Sequence, residues 1–306
     1  MSRSERRTYR GYTRAARIVC ALPERVAYPL AALAGRALYY VMGSRRAMAA
    51  RHQYRITGAT GVTLRRRTRQ VFRSYARYWC EFFRLPRDAG DRELLNARFI
   101  VDGFENIENG VAAGNGVILA LPHVGGWEFA GAWLANQGYP PVVVAERVRP
   151  AELFDFFKRQ REALGMEVIA LGSGAGTAVV DALRNNRVVC LLCDRDIARD
   201  GVAVEFFGEI TTMPAGPAAM AIRTGAALLP VAVYFDGAYG HYARIGAPLQ
   251  IDRSNKVRDE VPRVMQTLAE SFEALIRRAP GEWHVLQPNW PSDRVNHGDP
   301  VPSARG

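Results

Sequence analysis

The sequence predicts an α/β fold, in which a mostly parallel central sheet is flanked by helices and preceded by an amphipathic helical segment. From residue 97 onward, short apolar runs alternate with longer stretches whose apolar residues recur at helical spacing. Strands that alternate with helices in this way favour parallel pairing, with helices covering both faces of the sheet. The chain has 306 residues, 48% of them hydrophobic, so it can bury a substantial core.

The predicted elements follow the chain in order. The amino-terminal part is predicted to be helical over residues 15–41 and 63–84. The predicted strands are 117–121, 142–145, 167–171, 188–193, 228–235 and 241–245. The predicted helices are 127–136, 152–164, 176–185, 216–224 and 256–278.

Arginine is concentrated near the amino terminus. Residues 1–80 contain 18 arginines against Glu5 and Glu24, whereas the formal net charge of the whole chain is +11. Such a basic segment indicates an anionic partner, either a membrane surface or a nucleic acid. Residues 15–42 carry arginine on one side and apolar residues on the other, and lack the roughly 18 uninterrupted apolar residues of a spanning helix. They fit two amphipathic helices that lie in a membrane interface or, equally, pack on the domain itself.

These observations divide the chain into three units. Residues 1–96 are predicted to be an Arg-rich helical membrane-associating segment, residues 97–290 an α/β core, and residues 291–306 a polar tail. The four cysteines show neither a disulfide framework nor a zinc-site spacing, which predicts buried, reduced thiols. This usage is typical of the cytosol or the membrane face that borders it.

The most informative stretch of the sequence begins where a strongly apolar predicted strand ends. His123 follows that strand after a single proline, in the type of turn where open α/β sheets place their chemistry, and Glu128 lies five residues further on. Gly125 and Gly126 allow the turn to fold so that the imidazole and the carboxylate converge. A histidine supported by a carboxylate is a candidate general base.

Acidic residues also follow other predicted strands. Asp194, Arg195 and Asp196 come directly after the strand at 188–193, where they form either a functional cluster or a structural ion-pair network. Glu205 is the single acid in a short alternating stretch. Its carboxylate is either paired within a site or simply on a solvated face.

Arg147 and Arg149 follow the strand that ends at Ala145, and Arg161 lies on the predicted helix after it. Arg147 and Arg161 are candidates for phosphate contacts, with exposed surface charge as the alternative. The histidines show no metal-ligand spacing, and we predict no metal site. Because no nucleophile motif is present either, the base is expected to remove a proton directly from a substrate hydroxyl.

Four ordered blocks of the sequence resemble the lysophospholipid acyltransferase superfamily, in its branch of lauroyl and myristoyl acyltransferases of lipid A. Within that branch, the sequence looks most like the actinobacterial phosphatidylinositol mannoside acyltransferases. The four blocks are His123-x4-Glu128, Asp194-Arg195-Asp196, Glu205-Phe-Phe-Gly208 and Pro214-Ala-Gly-Pro217.

The resemblance implies a membrane-associated enzyme that moves a fatty acyl chain from acyl-CoA to a sugar hydroxyl of a glycolipid. The acceptor that it implies first is a phosphatidylinositol mannoside. It implies His123 as the general base, no acyl-enzyme, and no cofactor beyond acyl-CoA as co-substrate. Glu128 occupies the position of the motif acid, where most of the superfamily has Asp, and Glu205 matches a second glutamate thought to contact the histidine. Which of the two completes the relay stays open at the level of sequence.

The same resemblance suggests roles for further residues. Backbone N–H groups of Gly125 and Gly126 could stabilise the thioester oxyanion. The expected substrate-binding side chains are Arg147, Arg161, Asp194, Arg195 and Asp196. The expected partners are acyl-CoA, the mannosylated acceptor and an anionic membrane surface, with no nucleic acid. The expected location is the cytoplasmic face of the plasma membrane, with peripheral or monotopic attachment.

Three alternatives remain at this stage. An acyltransferase of the same fold could act on another glycolipid or on a lysophospholipid. A metal-dependent hydrolase could use His123, Glu128 and Asp194, and a basic nucleic-acid-binding protein would explain the arginines alone. Near the carboxyl terminus, His284 is interpreted as a structural histidine in an aromatic closing strand rather than as a second base.

Overall fold

The computed structural model describes residues 2–295, and within them a seven-stranded sheet forms the centre of the molecule. Its strand order is β1-β9-β8-β2-β5-β3-β4, and a separate hairpin is formed by β6 and β7. Neighbouring strands of the large sheet run parallel except for β8 and β9, which are antiparallel. The strands are β1 (Phe99–Asp102), β2 (Val117–Leu121), β3 (Val142–Ala145), β4 (Glu167–Ala170), β5 (Val188–Leu192), β6 (Val202–Phe206), β7 (Glu209–Met213), β8 (Ala227–Asp236) and β9 (Gly240–Ile245).

Helices cover both faces of this sheet and form the amino-terminal segment. They are α1 (Arg3–Ala21), α2 (Glu24–Val41), α3 (Gly43–Thr57), α4 (Gly61–Asp88), α5 (Arg92–Ala97), α6 (Glu105–Ala112), α7 (Trp127–Asn136), α8 (Ala151–Glu162), α9 (Ala175–Arg184), α10 (Gly216–Thr224), α11 (Val257–Arg278) and α12 (Ser292–Val295). A 3₁₀ turn spans Pro280–Glu282. The predicted α/β fold with a mainly parallel sheet is confirmed.

The central strand β2 shows why the apolar runs are continuous rather than alternating. Ile118 and Ala120 pack into the core on one face of the sheet, whereas Leu119 and Leu121 pack into the core on the other face. A parallel strand covered by helices on both sides has no solvent-facing positions, so all five of its residues are buried.

All six predicted strands are present, but the sequence did not predict β1 or the β6–β7 pairing. Strand β1 is a short edge strand with exposed positions, so it lacks the apolar run by which the central strands were recognised. The β6–β7 hairpin turns at Phe207 and Gly208, both at positive φ (52° and 75°), which matches the twist of a two-residue hairpin loop.

The amino-terminal helices are an integral part of the packed structure. Helix α4 is amphipathic, and its apolar face is buried against α2, α7 and α8 and the 3₁₀ turn. From α3, the buried His52 contacts Asp293 of α12, with 3.1 Å between Nε2 and Oδ2. Asp293 is itself fully buried, so the predicted tail is held on the core at this residue; residues 296–306 lie outside the described part of the chain.

In the described part of the chain, none of the helices combines the length and the apolar character that crossing a bilayer requires.

Candidate active site

Strand register brings His123 and Asp194 together. Leu121 of β2 pairs with Leu192 of the neighbouring parallel strand β5, and each of the two polar residues lies two positions beyond its strand's last paired residue. Both therefore leave the sheet at the carboxyl ends of adjacent strands, where α/β folds gather their functional groups. The distance between His123 Nδ1 and Asp194 Oδ1 is 2.5 Å.

Asp194 is fully buried, and its carboxylate has several donors. Oδ2 accepts hydrogen bonds from the backbone N–H of His123 at 2.9 Å and from Nε1 of Trp283 at 2.7 Å. Burial opposes ionisation of this carboxyl, but the charge of His123 and these hydrogen bonds outweigh it and hold the pKa of Asp194 below its ordinary value. Asp194 is therefore an ionised acceptor that fixes the hydrogen of the imidazole on Nδ1. Among the described residues, none forms a hydrogen bond with His123 Nε2.

Glu128 does not contact the histidine, which corrects the expectation that this acid supports the base. It lies in the first turn of helix α7, where its buried carboxylate accepts hydrogen bonds from Arg161 of α8 at 2.5 and 3.1 Å and from the hydroxyl of Tyr78 at 3.1 Å. The turn between His123 and α7 directs the two side chains to different partners. The same geometry leaves Glu128 out of any metal site shared by His123 and Asp194, and the described residues contain no cluster suited to hold a metal ion.

Glu205 lies away from the base as well. It is an exposed residue of β6, where its backbone N–H donates to Gln266 of α11 at 2.8 Å. In the alternating burial pattern of this hairpin, Val204 and Phe206 point into the core and Glu205 points outward. The expectation that Glu205 contacts His123 is therefore wrong for this structure, and the solvated-face interpretation applies.

The backbone of the glycine turn is already engaged. Gly125 N–H donates to the carbonyl of Glu282 at 3.0 Å, and Gly126 N–H donates to the carbonyl of Val233 at 3.2 Å. These two groups are thus committed to holding the turn against the sheet and do not point at a substrate, contrary to the oxyanion role expected for them. Gly125 has φ +60°, and a Cβ there would lie 2.0 Å from the Val233 oxygen, so the close approach requires glycine.

The remaining predicted residues differ in their positions. Arg195 and Asp196 line the cavity described below, and Asp196 also accepts hydrogen bonds from the backbone N–H groups of Arg199 and Gly201, at 2.8 and 3.0 Å. Asp196 therefore stabilises the backbone of the loop that follows β5. Arg147 is exposed, and its Nε donates to the carbonyl of Leu171 at 3.3 Å.

An apolar cavity of about 600 Å³ lies beside His123. One wall is the sheet face carrying Leu119, Leu121 and Val233, and it continues across neighbouring strands. A second wall is the inner face of α7, and aromatic side chains of α4 contribute a third. A cavity of this size and lining fits an extended apolar ligand.

Sequence reasoning did not identify several residues of this site. Tyr78 and Ser74 come from α4, which the sequence assigned to a membrane segment, and Trp283 comes from the carboxyl-terminal stretch, next to His284, which was interpreted as a structural histidine. His284 lines the cavity, and its Nε2 lies 2.8 Å from Oγ of Ser74, within hydrogen-bond distance. Its backbone N–H donates to the carbonyl of His123 at 2.8 Å. Burial, together with the charge of His123, lowers the pKa of His284 to about 3, so it is neutral in the site. The aromatic Trp283-His284 pair was the only signal in the sequence.

All four cysteines are free; Cys80 and Cys193 are buried, whereas Cys20 and Cys190 are only half-buried, which differs from the predicted burial of all four. Cys190 and Cys193 line the cavity. Burial raises the pKa of Cys190 to about 12 and that of Cys193 well above its ordinary value, so neither is a thiolate at neutral pH.

The parallel sheet carries the histidine–carboxylate pair at the carboxyl ends of two central strands, and the apolar cavity lies beside that pair, so the site places a candidate general base next to a space suited to an apolar chain. A sequence profile of the bacterial lipid A biosynthesis acyltransferase family matches residues 9–292, and the chain belongs to this family. The phosphatidylinositol mannoside acyltransferase of Mycolicibacterium smegmatis is 44% identical over 223 residues, which cover 72% of this chain and 71% of that protein. The protein of the same name from Mycobacterium tuberculosis is 41% identical over 223 residues, covering 72% and 69%. The resemblance predicted from the four sequence blocks is confirmed.

Proposed function

We propose that this protein transfers a fatty acyl group from acyl-CoA to a sugar hydroxyl of a phosphatidylinositol mannoside, with His123 as the general base and without an acyl-enzyme. The names of the two relatives supply the acceptor. The observation that carries the reaction is the hydrogen bond between His123 Nδ1 and the buried Asp194, next to a cavity suited to an alkyl chain.

In the proposed mechanism, Asp194 keeps the hydrogen of His123 on Nδ1, so that the lone pair on Nε2 accepts the proton of the acceptor hydroxyl. The hydroxyl oxygen attacks the thioester carbonyl carbon, and the carbonyl π electrons move onto oxygen. When the tetrahedral intermediate collapses, the C–S bond breaks, and CoA leaves as a thiolate that takes the proton from the imidazolium. The negative charge of Asp194 stabilises that imidazolium.

Direct transfer is supported by the chemistry of the cavity lining. The two cysteines there are held as neutral thiols by burial, which makes them poor nucleophiles. Arg195 lines the same cavity and is the arginine we propose for a phosphate of acyl-CoA or of the acceptor. Arg161 is ion-paired with Glu128, so it could bind a substrate phosphate only while its guanidinium also contacts that carboxylate.

The test is transfer of radiolabelled palmitoyl-CoA into a phosphatidylinositol mannoside acceptor, comparing the unmodified protein with His123→Ala. We expect label in the mannolipid and its loss in the variant. CoA release without lipid product would indicate a thioesterase or a different acceptor. Absence of both transfer and CoA release in a folded protein would refute the proposal.

We further propose that α2 docks the enzyme on an anionic membrane, at the cytoplasmic face of the plasma membrane. Val26, Leu30 and Leu33 are 39%, 47% and 61% exposed and recur at i, i+4 and i+7, so they form one apolar stripe. Exposed arginines at positions 25 and 36 flank this stripe. An apolar stripe with adjoining arginines is the pattern of a helix that lies in a headgroup interface.

Vesicle co-sedimentation tests the docking face. The double substitution Leu30→Glu/Leu33→Glu should reduce binding to vesicles that contain phosphatidylinositol by at least about tenfold, since two carboxylates would enter the apolar interface. Ile210→Glu is the matched control, because Ile210 is 58% exposed on the β6–β7 hairpin. Equal binding of all three proteins, or equal binding to neutral and anionic vesicles, would contradict this docking surface.

A further inference from the structure

Helix α7 forms one wall of the cavity, and a glycine in that wall leaves space that the side chain of a neighbouring methionine occupies. The cavity face of α7 carries Trp127, Ala130, Gly131 and Leu134, at the i, i+3, i+4 and i+7 positions of one helical face. Trp127 lies beside the base, with 5.6 Å between its ring centroid and that of His123. Gly131 follows one helical turn later, about 6 Å further along the wall.

Opposite this glycine lies the side chain of Met166. A Cβ placed on Gly131 would lie 2.3 Å from Cε and 3.1 Å from Sδ of Met166, so the thioether packs directly against the glycine backbone. Both residues line the cavity, and Met166 is only 5% exposed within the core. The methionine end is the flexible partner of this contact and would have to move if residue 131 gained a methyl group.

The space available to a displaced Met166 side chain is the cavity. The surrounding core is close-packed, and interiors of this kind accept additional volume poorly. A side chain at position 131 would therefore push the thioether into the volume that an alkyl chain would occupy. A shorter side chain at position 166 would instead enlarge that volume.

We propose that Gly131 and Met166 together set the longest acyl chain that the enzyme accepts, a role that rests on the acyl transfer proposed above. Gly131 keeps this section of the cavity open, and the thioether of Met166 forms its limit. At such a limit, one methylene too many changes the rate by roughly 10–200-fold. The pair thus determines specificity without contacting the reacting atoms.

The experiment measures kcat/KM for a series of saturated acyl-CoA donors from eight to eighteen carbons. Gly131→Ala should shift the optimum to shorter chains, with a loss of at least about tenfold for the longest chain that the unmodified enzyme uses well. Met166→Ala should shift it to longer chains. The clash is between the methyl group added at position 131 and the side chain of Met166. Gly131→Ala/Met166→Ala should therefore return the optimum toward that of the unmodified enzyme.

Gly110→Ala is the matched control. Gly110 is also a helical glycine, in α6, and its added Cβ would lie 2.6 Å from Cγ2 of Val117, but it does not line this cavity. Gly110→Ala should lower the thermal unfolding temperature, because it overpacks the core in the same way. It should leave the chain-length optimum unchanged.

The outcomes separate the two proposals. If the unmodified protein transfers no acyl group, the proposed function fails. If it transfers acyl groups and the optimum is the same in Gly131→Ala, Met166→Ala and the double variant, the specificity role fails alone. A shift in Gly110→Ala equal to that in Gly131→Ala would also overturn it, because the effect would then follow from packing in general.

Discussion

Glu128 forms a buried ion pair with Arg161, and this pair links the start of α7 to α8. The distance between Glu128 Oε1 and Arg161 Nη2 is 2.5 Å, and the side chains are 4% and 18% exposed. Burial works against the charge on Arg161, but the carboxylate of Glu128 and its hydrogen bonds raise the pKa of Arg161 above the ordinary value. The acid of the sequence motif therefore holds together two helices that contribute residues to the cavity lining, while a different acid supports the histidine.

The first prediction concerns the stability of this pair. Arg161→Met should destabilise the protein by about 3–5 kcal/mol, because it leaves the Glu128 carboxylate buried without its cation. Glu128→Gln/Arg161→Met should lose less than the sum of the two single variants, with a coupling of about 0.5–3 kcal/mol. Urea unfolding measures both.

An exposed pair provides the control for that prediction. Arg244 and Asp102 lie 3.3 Å apart, with side chains 52% and 54% exposed. Arg244→Met should therefore cost no more than about 1 kcal/mol. Equal losses for Arg161→Met and Arg244→Met would show that the buried pair contributes no more than a surface contact.

The second prediction separates the acid on the histidine from the acid of the hairpin. Asp194→Asn should lower kcat by roughly 10²–10⁴-fold, because an amide facing Nδ1 favours the wrong tautomer of His123. Its KM for acyl-CoA should change little. Glu205→Gln should stay within about twofold of the unmodified enzyme, since Glu205 is exposed on β6. A large loss of kcat in Glu205→Gln, with Asp194→Asn unaffected, would reverse the assignment.

The third prediction is a pH dependence of stability from Glu282. Its burial raises the pKa of Glu282 from 4.5 to about 7, while its Oε2 accepts a hydrogen bond from the backbone N–H of Phe235 at 2.9 Å. The folded state therefore binds this proton more tightly than the unfolded state. The resulting stabilisation is fully present below pH 4.5 and is lost as the pH rises through 7.

Replacement by the uncharged amide isolates this contribution. Glu282→Gln should be more stable than the unmodified protein by roughly 1–3 kcal/mol at pH 8, and the difference should shrink as the pH approaches 4.5. Thermal unfolding across that range measures the difference. A difference that is constant with pH, or that grows toward acid, would contradict the raised pKa.

The fourth prediction concerns the thiols of the cavity. Because burial holds Cys190 and Cys193 as neutral thiols, Cys190→Ala/Cys193→Ala should retain acyl transfer within a few fold, at a cost in stability from lost packing. Mass spectrometry during turnover should find no acyl group on the protein. An acylated cysteine that disappears on addition of the acceptor would replace direct transfer by a two-step mechanism.

The local pattern of the sequence was sufficient to predict six strands of the central sheet and the position of the candidate base. All five residues of β2 are buried between two layers of helices, so its apolar run was continuous and its end marked the position of His123. Strand β1 and the β6–β7 pairing were not predicted, because short edge strands and hairpins expose alternate residues and give a weaker signal.

The sequence by itself determined the fold class, the family and the position of the candidate base, because each depends on runs of residues that are contiguous in the chain. Only the tertiary structure decided which acid meets the histidine. Asp194 is 71 residues from His123, and the two meet through the register of β2 and β5. Glu128 is five residues away in sequence, but the turn at Gly125 and Gly126 directs it to Arg161. Spacing along a chain limits which side chains can meet, whereas strand pairing and helix packing select the ones that do.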